Sequence, residues 1–244
     1  MSHRDEYRQW PFLTDEEFTL ACAFFDRRYI RAELGPSRKM LKINCHQTAT
    51  TGGSYIEVLR LLTPPTDDDE LALALSRLGG IVDHGAVTSV DIDIDMSNEE
   101  NDQEVLRPDP KQEVPPGYSL YAHQPYVTYE IHLHPTYRLP TLWFTLNDLP
   151  MGDPAFDLDS VYRYLVLDEY KSQLRSIGVT GGISAAPHPL NDLPAFFIHP
   201  CQTKEAMEDL DCTLDEYLMV WLGLVGGCVG LWVPPEMAKS KAAI

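Results

Sequence analysis

Residues 126–144 read YVTYEIHLHPTYRLPTLWF. The runs Tyr126 to His134 and Leu139 to Leu146 are rich in β-branched and aromatic residues, and the turn PTYR separates them, so the pattern predicts two strands joined as a hairpin. Upstream, Lys39 to Cys45 and Ser54 to Leu62 flank the polar stretch HQTATTGG and predict a second hairpin. Before it, Phe18, Ala21, Cys22, Phe25 and Tyr29 recur at helical spacing over Asp15 to Arg31. Thr14 is placed to cap that helix, with Glu17 as its capping-box partner. Downstream, helical periodicity over Leu158 to Val166 opens at Asp157 or Asp159 and is expected to continue through DEYKSQLRSIG to a stop at Gly178. The proline-rich ISAAPHPLNDLP reads as irregular and leads into the short apolar run Ala195 to Ile198. A closing helix is expected from Thr213, as N-cap, to Val225. Consecutive strands with helices gathered at both ends predict an α+β domain on an antiparallel sheet of about four strands.

Composition bounds the partners. The 244 residues are 44% hydrophobic, enough for a core without metals or disulfides, and 19 Lys and Arg face 37 Asp and Glu for a net charge of −18. Such a field repels phosphate backbones and anionic headgroups, which excludes nucleic acid as a partner. Much of the charge sits in residues 64–117, where 14 acidic residues stand against Arg77, Arg107 and Lys111, a net −11. This stretch reads as an acidic, largely mobile insertion in a single domain spanning residues 1–244, with a short helix possible at ELALALSRLGG. Its DIDID run lacks the glycine and distal glutamate of a calcium loop. Tyr217 to Val233 is apolar but only 17 residues long and holds four glycines, so it reads as a buried helix running into an extended segment, not as a membrane span. The odd, scattered cysteines and the absence of a signal-like apolar start predict reduced cytosolic thiols.

Of the five cysteines, Cys201 has the setting of a nucleophile. It follows an apolar run in FFIHPCQTKEAMEDL, precedes a helix-prone segment, and has His199 and Lys204 nearby. Cys212 lies in EDLDC, among carboxylates that disfavour thiolate. Cys45 and Cys228 read as structural, and Cys22 as core. His132 and His134 alternate onto one strand face, but no CxxC or HExxH pattern supplies a further ligand, so no metal is assigned. Neither GxGxxG, GxxxxGK[ST] nor GxSxG occurs, so no cofactor is expected.

The tripeptide HPC within PAFFIHPCQT, preceded by ISAAPHPLND and followed by YLMVWLGLVGGCVGLWVP, resembles the autophagy-related protein 10 family over roughly Asp157 to Pro235. That family consists of ubiquitin-carrier-like conjugating enzymes. The resemblance implies a ubiquitin-conjugating-enzyme-like sheet flanked by helices, and a cytoplasmic enzyme recruited to the site of autophagosome assembly. It implies that Cys201 accepts a ubiquitin-like modifier, autophagy-related protein 12, as a thioester from its activating enzyme, autophagy-related protein 7. The modifier then passes to a lysine of autophagy-related protein 5. Ordinary carriers have His-Pro-Asn where this chain has His199-Pro200-Cys201, so the oxyanion donor is sought at Asn191 and at backbone amides after Cys201. His199 reads as fixing the loop, with a general base as the alternative. Tyr129, His132 and His134 are expected to face outward and bind the acceptor. A non-catalytic binding module and a cysteine hydrolase are the competing classes.

Overall fold

The structure, a computed structural model, describes residues 7–48, 53–62, 124–167, 171 and 182–239. The acidic insertion 64–117, the short helix within it and the extension to Gly178 lie outside the described residues.

Helix α1 (Asp15–Arg31) begins where its chemistry dictates: the Thr14 side chain accepts from Glu17 N–H, and the Glu17 carboxylate accepts from Thr14 N–H at 2.6 Å. This closes the predicted capping box. A single turn, α2 (Ser37–Met40), leads into β1 (Leu41–Gln47), which pairs with β2 (Ser54–Leu61). Strands β3 (Tyr126–Leu133) and β4 (Pro140–Asn147) form the second hairpin, and β3 lies against β2. Helix α3 (Leu158–Tyr164) is capped by the Asp157 carboxylate, which accepts from Ser160 N–H.

The sheet has six strands, not four. The segment read as irregular supplies β5 (Ile183–Pro187), and the short apolar run after it supplies β6 (Pro194–Ile198), giving the antiparallel order β1-β2-β3-β4-β6-β5. Both are five residues long, carry proline at a terminus and lack the polar–apolar alternation of the central strands, so their strand character comes from pairing partners distant in sequence. After β6 come a 3₁₀ turn (Pro200–Gln202) and α4 (Thr203–Glu208). Helix α5 spans Tyr217–Val225, one turn shorter than expected. Thr213 donates its N–H and its hydroxyl to the Glu216 carboxylate, and Glu216 N–H closes onto Thr213 O, so the pair seals a separate turn before the helix starts. Beyond α5, the chain makes a 3₁₀ turn (Gly226–Val229) instead of extending at once, reverses at Gly230 (φ 69°) and ends in α6 (Pro235–Lys239). A side chain at Gly230 would meet Leu165 O at 2.7 Å, so glycine is required there by both conformation and space. Among the described residues no helix is long and apolar enough to cross a membrane.

One face of the sheet is the core. Ile43, Ile56, Val58, Val127, Ile131, Leu142, Phe144 and Phe196 join Phe18, Cys22 and Phe25 of α1 and Leu218, Trp221 and Leu222 of α5. Arg28, itself buried, ties α1 to the C-terminal elements. It pairs with the Asp215 carboxylate through Nη2 and donates to Asp215 O (3.2 Å) and Met237 O (3.3 Å).

Tyr129 belongs to this core, which corrects the expectation that it faces outward. Strand alternation places it on the opposite face from His132. It is fully buried, its hydroxyl donates to Val229 O at 2.7 Å, and burial pushes its ionisation up to about 12. A buried tyrosine whose hydroxyl is spent on the backbone has nothing to offer an acceptor. Tyr129→Phe should therefore leave Val229 O unsatisfied and cost about 1–3 kcal/mol of stability in urea unfolding, while transfer activity per folded molecule stays unchanged.

Candidate active site

Strand β6 pairs with β4 through Leu142–Ile198, Trp143–Phe197 and Phe144–Phe196. It delivers the chain to His199, whose extended backbone ends the strand, and Pro200 then opens the 3₁₀ turn, where a missing N–H costs nothing. The Cys201 N–H donates to His199 Nδ1 at 3.1 Å. The cysteine is held exposed on this capped turn. The other four are withdrawn: Cys22 and Cys212 are buried, Cys45 and Cys228 half-buried. Burial raises the thiol pKa of Cys22, does the same for Cys45 with help from the Asp26 charge, and pushes Cys228 up to about 11. Cys212 lies inside beside Tyr7, whose hydroxyl donates to Cys212 O at 3.1 Å, so enclosure in the core withholds it as well as its acidic neighbours.

His199 repeats a device found twice more. The chain has three His-Pro pairs, at residues 134–135, 188–189 and 199–200. In each, Nδ1 of the histidine accepts the N–H of the residue after proline: Thr136 at 3.2 Å, Leu190 at 3.4 Å and Cys201 at 3.1 Å. Proline removes one donor and fixes the bend, and the imidazole satisfies the next donor, so His-Pro-X behaves as a self-capping turn. A neutral imidazole accepting at Nδ1 carries its proton on Nε2. The lone pair that a general base would need is thereby committed to the backbone.

The β3–β4 turn stands beside this site. The Tyr137 ring meets the His199 ring edge-on with centroids 5.6 Å apart, and the His134 ring lies 4.6 Å from Tyr137. His134 accepts from both Thr136 and Tyr137 N–H, and burial, then the nearby His199, lower its pKa. Tyr137 was missed in the sequence because it sits in a turn tetrapeptide, 62 positions from His199, with no pattern of its own. The match of His-Pro at 134 and 199 was the legible signal.

His132 does not share that surface. Its side chain is 12% exposed, stacked on Tyr55 (4.7 Å) and hydrogen-bonded to Glu130 (2.7 Å), so its ring is spent on the sheet's own outer face. His188 completes the group, with Nε2 3.3 Å from the same Glu130 oxygen. Burial raises the Glu130 pKa, but hydrogen bonds from both histidines and their charge outweigh it and hold the carboxyl at about 2.

Asn191 is also displaced from its expected role. It lies in the turn joining β5 to β6, where its Oδ1 accepts from Leu193 N–H, and it lines a cavity of about 420 Å³ with Phe156, Trp143 and Leu193. Cys201 follows the opposite end of β6. Four strand steps of about 3.3 Å separate Pro194 from Ile198, which leaves the Asn191 amide far beyond hydrogen-bonding reach of a carbonyl on Cys201.

Residues 17–236 match the family described as autophagocytosis associated protein, active-site domain. The chain belongs to the ATG10 family of ubiquitin-like-conjugating enzymes and is a conjugating transferase. It is 45% identical over 239 residues to the ubiquitin-like-conjugating enzyme ATG10 of Gibberella zeae, covering 95% of this chain and 98% of that protein. The ATG10 of Homo sapiens is 31% identical over 124 residues, 48% of this chain and 54% of that protein; that of Pichia angusta is 26% identical over 95 residues, 37% and 64%.

If His199 caps the turn, an asparagine, which can accept the same N–H two residues on, should replace it. His199→Asn should retain most of the rate at which Cys201 is loaded, and His199→Ala should lose it by the equivalent of a lost cap, about 0.5–2 kcal/mol. Equal loss in both, with a shifted pH–rate profile, would identify His199 as a base.

Proposed function

We propose that this enzyme carries autophagy-related protein 12 as a thioester on Cys201 and transfers it to a lysine of autophagy-related protein 5. The observation that carries this reading is the exposure of Cys201 alone among five cysteines, on a turn whose histidine and proline hold it in place. In the first step the Cys201 thiolate attacks the carbonyl of the modifier's C-terminal glycine, held as a thioester on the activating enzyme, autophagy-related protein 7. A new S–C bond forms, the S–C bond to the activating enzyme breaks, and that enzyme's cysteine leaves as a thiolate. In the second, the acceptor's neutral lysine amine attacks the same carbonyl. An isopeptide bond forms, Cys201 leaves as thiolate, and the amine's proton passes to solvent. Each step passes through an oxyanion. With Asn191 at the far end of β6, the amide of Gln202, the residue after Cys201 and the last of the 3₁₀ turn, is the donor this reading assigns.

A hydrolase would need an imidazole lone pair facing the thiol, and His199 Nδ1 is engaged by the Cys201 backbone. A pure binding module would have no use for a cysteine so exposed. The thioester assignment is tested with modifier, activating enzyme and ATP. Cys201→Ala should abolish the adduct, and Cys201→Ser should replace a thiol-labile adduct with a slower, thiol-resistant ester. Cys212→Ala should charge normally if it folds; charging that survives Cys201→Ala would overturn the reading.

The acceptor is assigned to the β3–β4 turn. Tyr137 is 42% exposed and His134 half-buried, and both adjoin the His199 turn, so a protein docked on them would bring its lysine toward Cys201. Replacing His134 and Tyr137 together by Ala should leave charging unchanged and slow discharge to the acceptor about tenfold, the effect of losing about 1.4 kcal/mol of contact. Single-turnover discharge below acceptor saturation measures it, and an unchanged rate would move the acceptor elsewhere.

A further inference from the structure

The outer face of the sheet carries a second cluster that the transfer chemistry does not use. Glu130 and His132 alternate on β3, and His188 is brought over them by the β5–β6 turn, which folds back across Trp143 (ring centroids 5.5 Å). One oxygen of Glu130 and the Nε2 atoms of His132 and His188 lie within 4.8 Å of one another, with the two oxygen–nitrogen separations at 2.7 and 3.3 Å. Around a tetrahedral zinc, bonds of about 2.0–2.1 Å put neighbouring donors about 3.4 Å apart. Both oxygen–nitrogen separations fall somewhat short of that spacing, so the donors would part slightly around an ion.

We propose that Glu130, His132 and His188 form a binding site for a divalent transition-metal ion of the zinc class. Two imidazoles and a carboxylate make a donor set suited to zinc, and oxygen-seeking calcium or magnesium would be disfavoured. The surroundings restrict the donors' motion: His132 is stacked on Tyr55, and His188 is buried against the Trp143 ring. Glu130 and His188 both line the cavity, from which water would complete the coordination. Binding at Nε2 of His188 places the remaining proton on Nδ1 and forfeits the contact from Leu190 N–H. At 3.4 Å that is the longest of the three His-Pro contacts, so the weakest of them is the one given up. The ion would staple the β5–β6 turn to β3 across β4, bracing the strand that carries Cys201.

The test uses the full chain, stripped with chelator and with its thiols alkylated, then titrated with zinc against a competing chromophore and with cobalt for its spectrum. The expected result is one ion per chain, a tetrahedral cobalt spectrum without sulfur-to-metal charge transfer, and a raised Tm with zinc. His188→Gln and His132→Gln should each weaken binding by more than the roughly 10–100-fold that follows loss of a group merely supporting a ligand. No stoichiometric binding by the wild-type chain would overturn the proposal, whether or not the variants fold. So would binding that both folded variants retain. The readout is independent of thioester formation, so a failed metal site would leave the transfer reading standing.

Discussion

Three residue pairs, Leu142 with Ile198, Trp143 with Phe197 and Phe144 with Phe196, hold β6 in register on the central hairpin, and the position of Cys201 depends on them. Side chains alternate along a strand, so a one-residue slip would exchange Phe196, which packs in the core, with Phe197 on the outer face. The core therefore fixes the register, and the register fixes where His199 leaves the sheet. From there the self-capping turn sets Cys201 in solvent within three residues of the strand's end. Under the proposed function, a nucleophile that meets a protein-bound thioester and then a protein-borne lysine has to stand proud of the surface. Anchoring it directly to a sheet strand supplies rigidity without enclosure.

The two faces of that sheet divide the labour. The inner face is a continuous apolar core, and buried Arg28 of α1 fastens it to the C-terminal elements through half-buried Asp215. Removing Asp215 would strand the buried Arg28 charge, at a cost below the roughly 3–5 kcal/mol of a fully buried pair because the carboxylate already meets solvent. The outer face carries a row of rings, His46 on Tyr55 and Tyr55 on His132, then His188 against Trp143 and Trp143 on Phe197. These amphipathic rings cover the sheet with little bare apolar area, while their nitrogens keep hydrogen bonds to Glu57 and Glu130. At one end the row meets the His134–Tyr137–His199 cluster beside the cysteine, and His188 and Trp143 border the cavity that Asn191 lines.

The same dipeptide solves one physical problem in three places. After β3, β5 and β6, His-Pro removes a donor and covers the next one. That the tripeptide at Cys201 shares this geometry with two turns outside it gives His199 a structural role in its own right.

Local signals made much of this legible. The capping box at Thr14 and Glu17, the apolar face of α1, the two central hairpins and the HPC setting of Cys201 depend on neighbours within a few residues, so the amino-acid order determined them. Strands β5 and β6 escaped detection because five-residue, proline-ended segments become strands through pairing with partners many residues away. The face of Tyr129 was legible, since it lies an odd number of positions from His132 on one strand and alternation puts the two on opposite faces; only the reach of its hydroxyl to a backbone carbonyl 100 positions on was decided by tertiary structure. Asn191 lay ten residues from Cys201 in sequence but at the opposite end of an extended strand, where contour length becomes real distance. Tyr137 beside His199, and Glu130 with His132 and His188, were decided by tertiary structure alone: strand register and a folded-back turn bring together groups that local periodicity cannot connect.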